Sequence, residues 1–539
     1  MAPLWKRSGT RATGRGAGRL LGRVRGAGES SRGFFGRPKG RSAARDARRV
    51  PGKRGNQQPL LQEGEALPGP TVAFAKADEG DAGAPVEDWF RIVLAFLFPA
   101  LGGLLFGYDI GATSGALVSL TSEATGGVPW FDLTPFQSGL VVSSSLFGAL
   151  VSSVAAFFVG DNLGRRREIL LAAVLYLAGT ALEGLAQSYP LLLCGRLTYG
   201  LGIGFAMHGA PAYIAETAPQ RVRGLLISLK EVLIVLGILL GYLASFLFVS
   251  KAGGWRAIYL VAAPAAMALF AGMSWLPASP RWLLLRGGGS GEVVASLRKL
   301  RGPAAKEEDL LAEAEAMEAN FGGDGDKGAA ASGGFAALLR RENLKPLLIG
   351  MSLMVFQQIT GQPSVLYYAT RIFQDAGFAA AESATAVSVV LGIFKLVMTG
   401  VAVFTVDVYG RRPLLLTGVA GMAAALFVLG SVKAPMLSVI ALLLYVGCYQ
   451  VSFGPVSWLI VGEVFPLAVR SSAIALASFA NFGSNFLVSL ALPTIQSALG
   501  AQATYAAFGV IALAALATIF AVVPETKGKS LEEIERMFK

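Results

Sequence analysis

Charge is scarce in this chain. Of its 539 residues, 15% are Asp, Glu, Lys or Arg and 53% are hydrophobic, whereas a soluble protein carries about 25% charged residues. Histidine occurs once, as His208, and cysteine twice, as Cys194 and Cys448, each inside an apolar run. Two such cysteines exclude a disulfide framework. A single histidine without a cluster at ligand spacing gives no metal centre, and no metal or other cofactor is expected. No Ser-His-Asp or Cys-His arrangement stands out, so an enzyme is not expected. Short alternating apolar–polar segments are also missing, which excludes a transmembrane β-barrel.

What is present is length of hydrocarbon. Apolar runs of about 20 residues, enough to cross a core of roughly 30 Å, recur along the chain. Twelve spans are read, near 90–120, 136–160, 168–186, 190–215, 224–249, 256–276, 344–373, 382–406, 413–431, 436–462, 470–496 and 501–523. The fold class is therefore an all-α membrane protein, with the lipid bilayer as its solvent.

Acid is nearly absent from the first 55 residues, which are rich in Arg, Gly and Ser. Position and composition match an organelle transit peptide. A solvated tail and a nucleic-acid arm are the other readings, and nucleic acid is not expected as a partner of an embedded chain. The expected divisions are 1–88 (presequence and polar linker), 89–276 (six spans), 277–342 (connection), 343–523 (six spans) and 524–539 (tail).

The connections separate by charge. Arg165, Arg166 and Arg167 follow span 2, Arg221 and Arg223 follow span 4, Arg411 and Arg412 follow span 8, and Arg470 follows span 10. The long connection 277–342 and the tail lie on the same face, and opposite turns such as 121–136 lack Lys and Arg. Basic residues mark the inner face, so both termini face the cytosol, or the matrix or stroma of an organelle. The charged pattern at 307–321 predicts amphipathic helices on that face.

One turn is written twice. Asp161-Asn162-Leu163-Gly164-Arg165-Arg166 after span 2 recurs as Asp407-Val408-Tyr409-Gly410-Arg411-Arg412 after span 8. The duplication implies two pseudo-symmetric bundles, the machinery of a secondary transporter. Asp161, Asp407, Arg165, Arg166, Arg411 and Arg412 are expected to pair with Glu216 and Glu463, with Arg223 and Arg470 opening the next spans. Such pairs would latch the bundles while the outer side is open and break when the inner side opens. The alternative is solvated topology charge.

Ionisable groups inside spans are costly and are candidates for function. Asp109 lies about 28 Å along span 1 and Arg196 about 9 Å below the turn at Pro190, which puts both in the outer half. Such a pair is either a proton switch or a static ion pair. Glu231 in span 5 and Lys395 in span 8 add charges of opposite sign. Gln357, Gln358, Gln450 and Asn481 fall near one depth, with Trp458 a little further inward. Amides beside an indole suit a polyhydroxylated ligand, though each could instead join helices. Gly103, Gly107, Gly111 and Gly115 form a stripe on span 1 that admits a neighbouring helix.

With these residues in view, positions 90–539 resemble the sugar porter branch of the major facilitator superfamily. The motifs are GGLLFGYDIG (102–111), GDNLGRR (160–166), GRLTYGLGIG (195–204), PAYIAETAPQRVRG (211–224), PASPRWL (277–283), QQITGQPSVLYY (357–368), VDVYGRRPL (406–414), GPVSWLIVGEVFP (454–466) and PETKGKSLEEIE (524–535). The resemblance implies twelve helices in two six-helix bundles, alternating access and monosaccharide transport. Proton-coupled xylose and hexose symporters carry an acid at the Asp109 position and an arginine at the Arg196 position, whereas facilitative members usually carry an amide for the acid. Gln357, Gln358, Trp458 and Asn481 correspond to sugar contacts, and Tyr367 of the same motif joins the expected set. The chain departs from the family at Glu231 (usually Gln), Lys395 (usually Asn), Pro363 (usually Asn) and Ala278 (usually an acid). Glu231 and Lys395 are expected to compensate each other across the cavity.

The resulting expectation is a proton-coupled hexose or pentose symporter, acting as a monomer in a plastid envelope, with the plasma membrane or another organelle as the alternative. A facilitative carrier of sugars, polyols or anionic sugars is a second reading, and a non-transporting sugar sensor a third.

Overall fold

The computed structural model describes residues 89–218, 223–303, 305–322, 335–432, 434–466, 469–529 and 531–538. The presequence reading falls on residues outside this set. The described chain is helical, and ten of its helices are long and apolar enough to cross a membrane. Two further spans complete twelve. One is Arg165–Gly184, whose three arginines and two glutamates dilute its hydropathy. The other is broken into Leu344–Ile359, Gln362–Tyr367 and Ala369–Asp375.

We number the spans in chain order. The first bundle has α1 (Trp89–Leu120), α2 (Pro135–Leu163), α3 (Arg165–Gly184), α4 (Tyr189–Thr217), α5 (Arg223–Phe248) and α6 (Gly254–Trp275). The second has the three-piece α7 (344–375), α8 (Ala381–Tyr409), α9 (Arg411–Ser431), α10 (Pro435–Val464), α11 (Arg470–Leu499) and α12 (Ala501–Val522). Between them run short helices Pro280–Leu285, Ser290–Arg301 and Glu307–Gly322. Arg301 ties these to the first bundle, donating to the Thr217 carbonyl at 3.0 Å and pairing with Glu313 at 2.7 Å.

Local chemistry starts and stops the spans. Thr134 and Gln137 form a reciprocal capping box that opens α2, with Pro135 at the first helical position. The duplicated turns use glycine for a physical reason. Gly164 and Gly410 have φ of 86° and 89°, a region that costs a side-chain-bearing residue free energy. Each therefore ends one span and begins the next without a loop.

The glycine stripe of α1 receives α5. A Cβ on Gly107 would fall 1.8 Å from the Ile234 carbonyl oxygen, and one on Gly111 2.2 Å from that of Ile238. Backbones this close gain dispersion contact that side chains would prevent. The opposite face of α1 is thereby committed to the bundle interior, where Asp109 sits.

The bundles meet in the outer half. Ser114 on α1 and Thr370 on α7 share a hydroxyl hydrogen bond at 3.0 Å, and the Thr370 N–H donates to Ser114 at 3.0 Å. Thr370 also meets Ser388 of α8 at 3.2 Å. Tyr242 on α5 donates to the Leu366 carbonyl at 2.8 Å. Phe147 on α2 stacks against Phe486 on α11, ring centres 5.4 Å apart. Toward the inner face, Trp458 is 38% exposed and the Glu231 side chain 52% exposed. The outer mouth is sealed and the cleft opens inward.

Candidate functional site

The first bundle buries a charge cluster. Arg196 on α4 is ion-paired with Asp109 on α1, and neither side chain is more than 1% exposed. The guanidinium also donates to the Val141 carbonyl at 2.9 Å and to Ser145 Oγ at 2.9 Å. Ser145 in turn donates to Asp109 Oδ2 at 2.9 Å, so α2 closes a three-helix ring around the pair. The Tyr259 ring lies 5.3 Å from the guanidinium carbon. The two charges that the chain separates by 87 positions are brought into direct contact.

A third member escapes a reading based on α1 and α4 alone. Glu183, near the end of α3, places Oε1 3.6 Å from Arg196 Nη1 and is likewise buried. A Cβ on Gly195 would fall 2.9 Å from Glu183 Cγ, so the glycine preceding Arg196 makes room for this acid. Two carboxyls thus face one guanidinium. The cluster is electroneutral when one carboxyl holds a proton and carries one negative charge when neither does. Burying that extra charge is expensive, so proton loss disfavours this packing. A second acid in the same bundle, Glu168, bonds His208 Nδ1 at 2.7 Å. The only signal for either acid is its position at the edge of an apolar run, Glu168 just after three arginines and Glu183 just before the end of α3.

The second bundle buries amides. Asn481 on α11 donates to Gln357 on α7 at 2.7 Å, and Gln357 donates to the Phe453 carbonyl at 2.7 Å. That carbonyl is available because α10 is interrupted at Ser452, between Pro435–Val451 and Phe453–Val464. The break in α7 at Thr360–Gly361 lies just beyond Gln357 and Gln358. Discontinuous spans expose backbone acceptors where a cavity needs them. Gln358 Oε1 and the Tyr367 hydroxyl are buried without a hydrogen-bond partner. Trp458 stands at the inner, open side of the same cleft.

Glu231 and Lys395 are not in contact in this arrangement. Lys395 donates to Gln450 Oε1 at 2.5 Å and lies under the Tyr449 ring, while Glu231 pairs with its neighbour Lys230 at 3.0 Å. With the inner cleft open, α5 and α8 hold the two charges on separate walls. The compensation across the cavity expected from sequence thus involves no direct contact in this arrangement.

At the inner face the duplicated turns build similar knots. Arg165 bonds Glu216 at 3.0 Å, and Arg411 bonds both Glu463 and Asp407 at 3.2 Å. Arg166 and Arg412 instead donate to carbonyls, at Met273 and Ser274 and at Phe520. Arg470 donates to the Phe465 carbonyl. The side chains of Asp161 and Arg223 fall outside the described set. The Arg165–Glu216 and Arg411–Glu463 pairs each stay within one bundle and are intact while the inner side is open. They differ in this from the bundle-to-bundle latch expected from the sequence.

The C-terminal knot has an extra acid. Glu525 receives the backbone N–H of Arg411 at 3.1 Å, of Arg412 at 2.9 Å and of Lys527 at 2.8 Å. Partial burial opposes its ionisation, but the N–H groups of Lys527, Arg411, Arg412 and Thr526 outweigh it and hold the carboxyl below its usual range. The counterpart region of the first bundle has Ala278, and there Ser279 donates to Glu216 instead.

Two six-helix bundles closed on one side of the membrane, with buried ionisable groups in one and an amide layer in the other, define a secondary transporter of the major facilitator type. Residues 95–538 match the model of the family described as sugar (and other) transporter, and the chain belongs to that family. It is a multi-pass membrane transporter, not an enzyme. It is 52% identical over 475 residues to the D-xylose-proton symporter-like 3, chloroplastic, of Arabidopsis thaliana, covering 85% of each chain. Among solved structures it is similar to the inward open conformation of the xylose transporter XylE from E. coli (28% identity, TM-score 0.69, 83% of this chain and 100% of that one). It is also similar to the proton:xylose symporter XylE bound to 6-bromo-6-deoxy-D-glucose (28% identity, TM-score 0.66, 84% and 100%).

Proposed function

We propose that this chain is a proton-coupled monosaccharide symporter that works by alternating access, as a monomer in the plastid envelope. The observation that carries the reading is the buried ring of Asp109, Arg196 and Ser145, with Glu183 at its edge. With a proton on one carboxyl, the cluster is neutral and α1, α2, α3 and α4 pack as a unit. Without it, the surplus charge favours a different packing of α1 against α4. Because α1 also carries Ser114 of the outer seal, a shift at Asp109 is transmitted to the mouth five residues away. The relatives' printed names, proton symporter and chloroplastic, support the same reading.

The sugar is received between the bundles, by Gln357, Gln358, Gln450, Asn481 and Tyr367 on one wall and by Glu231 on the other, with Lys395 below and Trp458 toward the inner opening. Amides satisfy paired hydroxyls and the indole covers a C–H face. The inner ion pairs Arg165–Glu216 and Arg411–Glu463, with the carbonyl bonds of Arg166 and Arg412, keep each bundle rigid while it rocks.

Uptake of labelled xylose and glucose into proteoliposomes tests this. An inward proton gradient should drive accumulation above equilibrium in the native protein. Equal uptake with and without the gradient would instead identify a facilitative carrier.

A further inference from the structure

The polar layer contains two charges on different bundles whose present partners are makeshift. Lys395 is 4% exposed, yet its ammonium has one hydrogen-bond acceptor, the neutral Gln450, for three hydrogens. No carboxylate touches it, although a buried ammonium normally requires one. Glu231 is held by Lys230, the adjacent residue on its own helix, and stands half-exposed in the inner cleft.

The geometry of α5 and α8 says how the gap between them changes. The helices cross closely at Gly392, where a Cβ would lie 3.1 Å from Tyr242 and from Leu239. Tyr242 also clamps α7 through the Leu366 carbonyl. This crossing belongs to the sealed outer half. Lys395 lies about 4.5 Å inward of it along α8, and Glu231 about 12 Å inward of Leu239 along α5. Both are therefore on the opened side of a pivot, on opposite walls. Closing the inner side must bring those walls together. The Arg165–Glu216 and Arg411–Glu463 pairs each lie inside one bundle.

We propose that Glu231 and Lys395 are the two lips of an inter-bundle gate, apart while the inner side is open and joined when it closes. Closure exchanges Gln450 and Lys230 for a direct carboxylate–ammonium contact. The freed Gln450 amide then faces the cleft. A bound sugar enters between the lips, so its hydroxyls replace the contact from both sides at once. This deepens the transport reading and rests on it for the role of the sugar, but the gate itself is a property of the empty protein.

The test therefore uses no substrate. Spin labels are placed at Arg167 and Val408, on the inner ends of α3 and α8, in full-length protein with Cys194 and Cys448 replaced by alanine. Pulsed dipolar spectroscopy then gives the ratio of short (inner-closed) to long (inner-open) distances. Lys395→Met and Glu231→Gln should each lower that ratio about tenfold, and the reversal Glu231→Lys with Lys395→Glu should bring it back to within about threefold. The neutral pair Glu231→Gln with Lys395→Asn, which restores the amides usual in the family, should also recover it, separating lost charge balance from misfolding. Unchanged ratios in the single variants would overturn the gate. So would a reversal or a neutral pair as depleted as the singles. Failure of sugar uptake with a normal response of these ratios would instead fall on the transport reading alone.

Discussion

The two bundles share one chain plan and bury different chemistry. The first encloses ionisable groups: Asp109, Glu183 and Arg196 meet among α1, α3 and α4. The second encloses an amide pair, Gln357 and Asn481 on α7 and α11, with the break in α10 supplying a carbonyl, and a buried ammonium, Lys395, held by the Gln450 amide. A proton is read by groups whose charge it changes, and a sugar by groups that give and take hydrogen bonds without changing charge. On the function proposed here, duplication followed by divergence places proton coupling in the first bundle and most of the sugar contacts in the second. Coupling then requires only that both sides bias the same rocking motion.

That contrast can be broken most severely at Asp109. Asp109→Asn should abolish gradient-driven accumulation, at least about a hundredfold in coupled uptake, while equilibrium exchange persists. Glu183→Gln should act on the same quantity less strongly, about tenfold, and leave the half-saturation for sugar near the native value. A Glu183→Gln variant with native accumulation would reduce the cluster to a simple pair. In the amide bundle the signature should invert. Gln357→Ala and Asn481→Ala should raise the half-saturation for sugar roughly tenfold, with accumulation at saturating sugar preserved. Loss of proton coupling in Asn481→Ala would show that the division between bundles is not real.

The smallest effects belong to the inner knots, which also differ. Glu525 caps the start of α9, whereas the first bundle has Ala278 in the corresponding element. Glu525→Ala should lower the stability of the detergent-solubilised protein by about 1 kcal/mol. The carboxyl is held below its usual range when folded, so its contribution is present above that range and fades as pH falls through the lowered value. Thermal melts at neutral and acidic pH should therefore diverge in the native chain and converge in the variant. Ala278→Glu should act in the opposite sense and by less, about 0.5 kcal/mol.

Much of this was legible in the residues, because apolar runs and the charges interrupting them are unambiguous in a membrane. Asp109 and Arg196 stand out for that reason, and helix rise puts both in the outer half. Span 3 was legible only through its flanks, since Arg165, Arg166, Arg167, Glu168 and Glu183 depress its hydropathy. Glu183 and Glu168 escaped because each lies close to a span end, where an acid looks like an interface residue. The reading of 344–373 as one span hides the break at Thr360–Gly361, and 436–462 hides that at Ser452. Gly and Ser inside apolar runs serve packing as often as they mark a rupture. Glu231 and Lys395 show a different limit. Their opposite signs suggest a contact, but sequence carries no information on which of two arrangements of the bundles is being viewed.

The outer contacts among Ser114, Thr370 and Ser388 are made by three hydroxyls and one backbone N–H, with no ionisable side chain among them. Such groups neither titrate in the physiological range nor attract counter-ions. Neither salt nor acidity in the space beyond therefore acts on these three contacts directly.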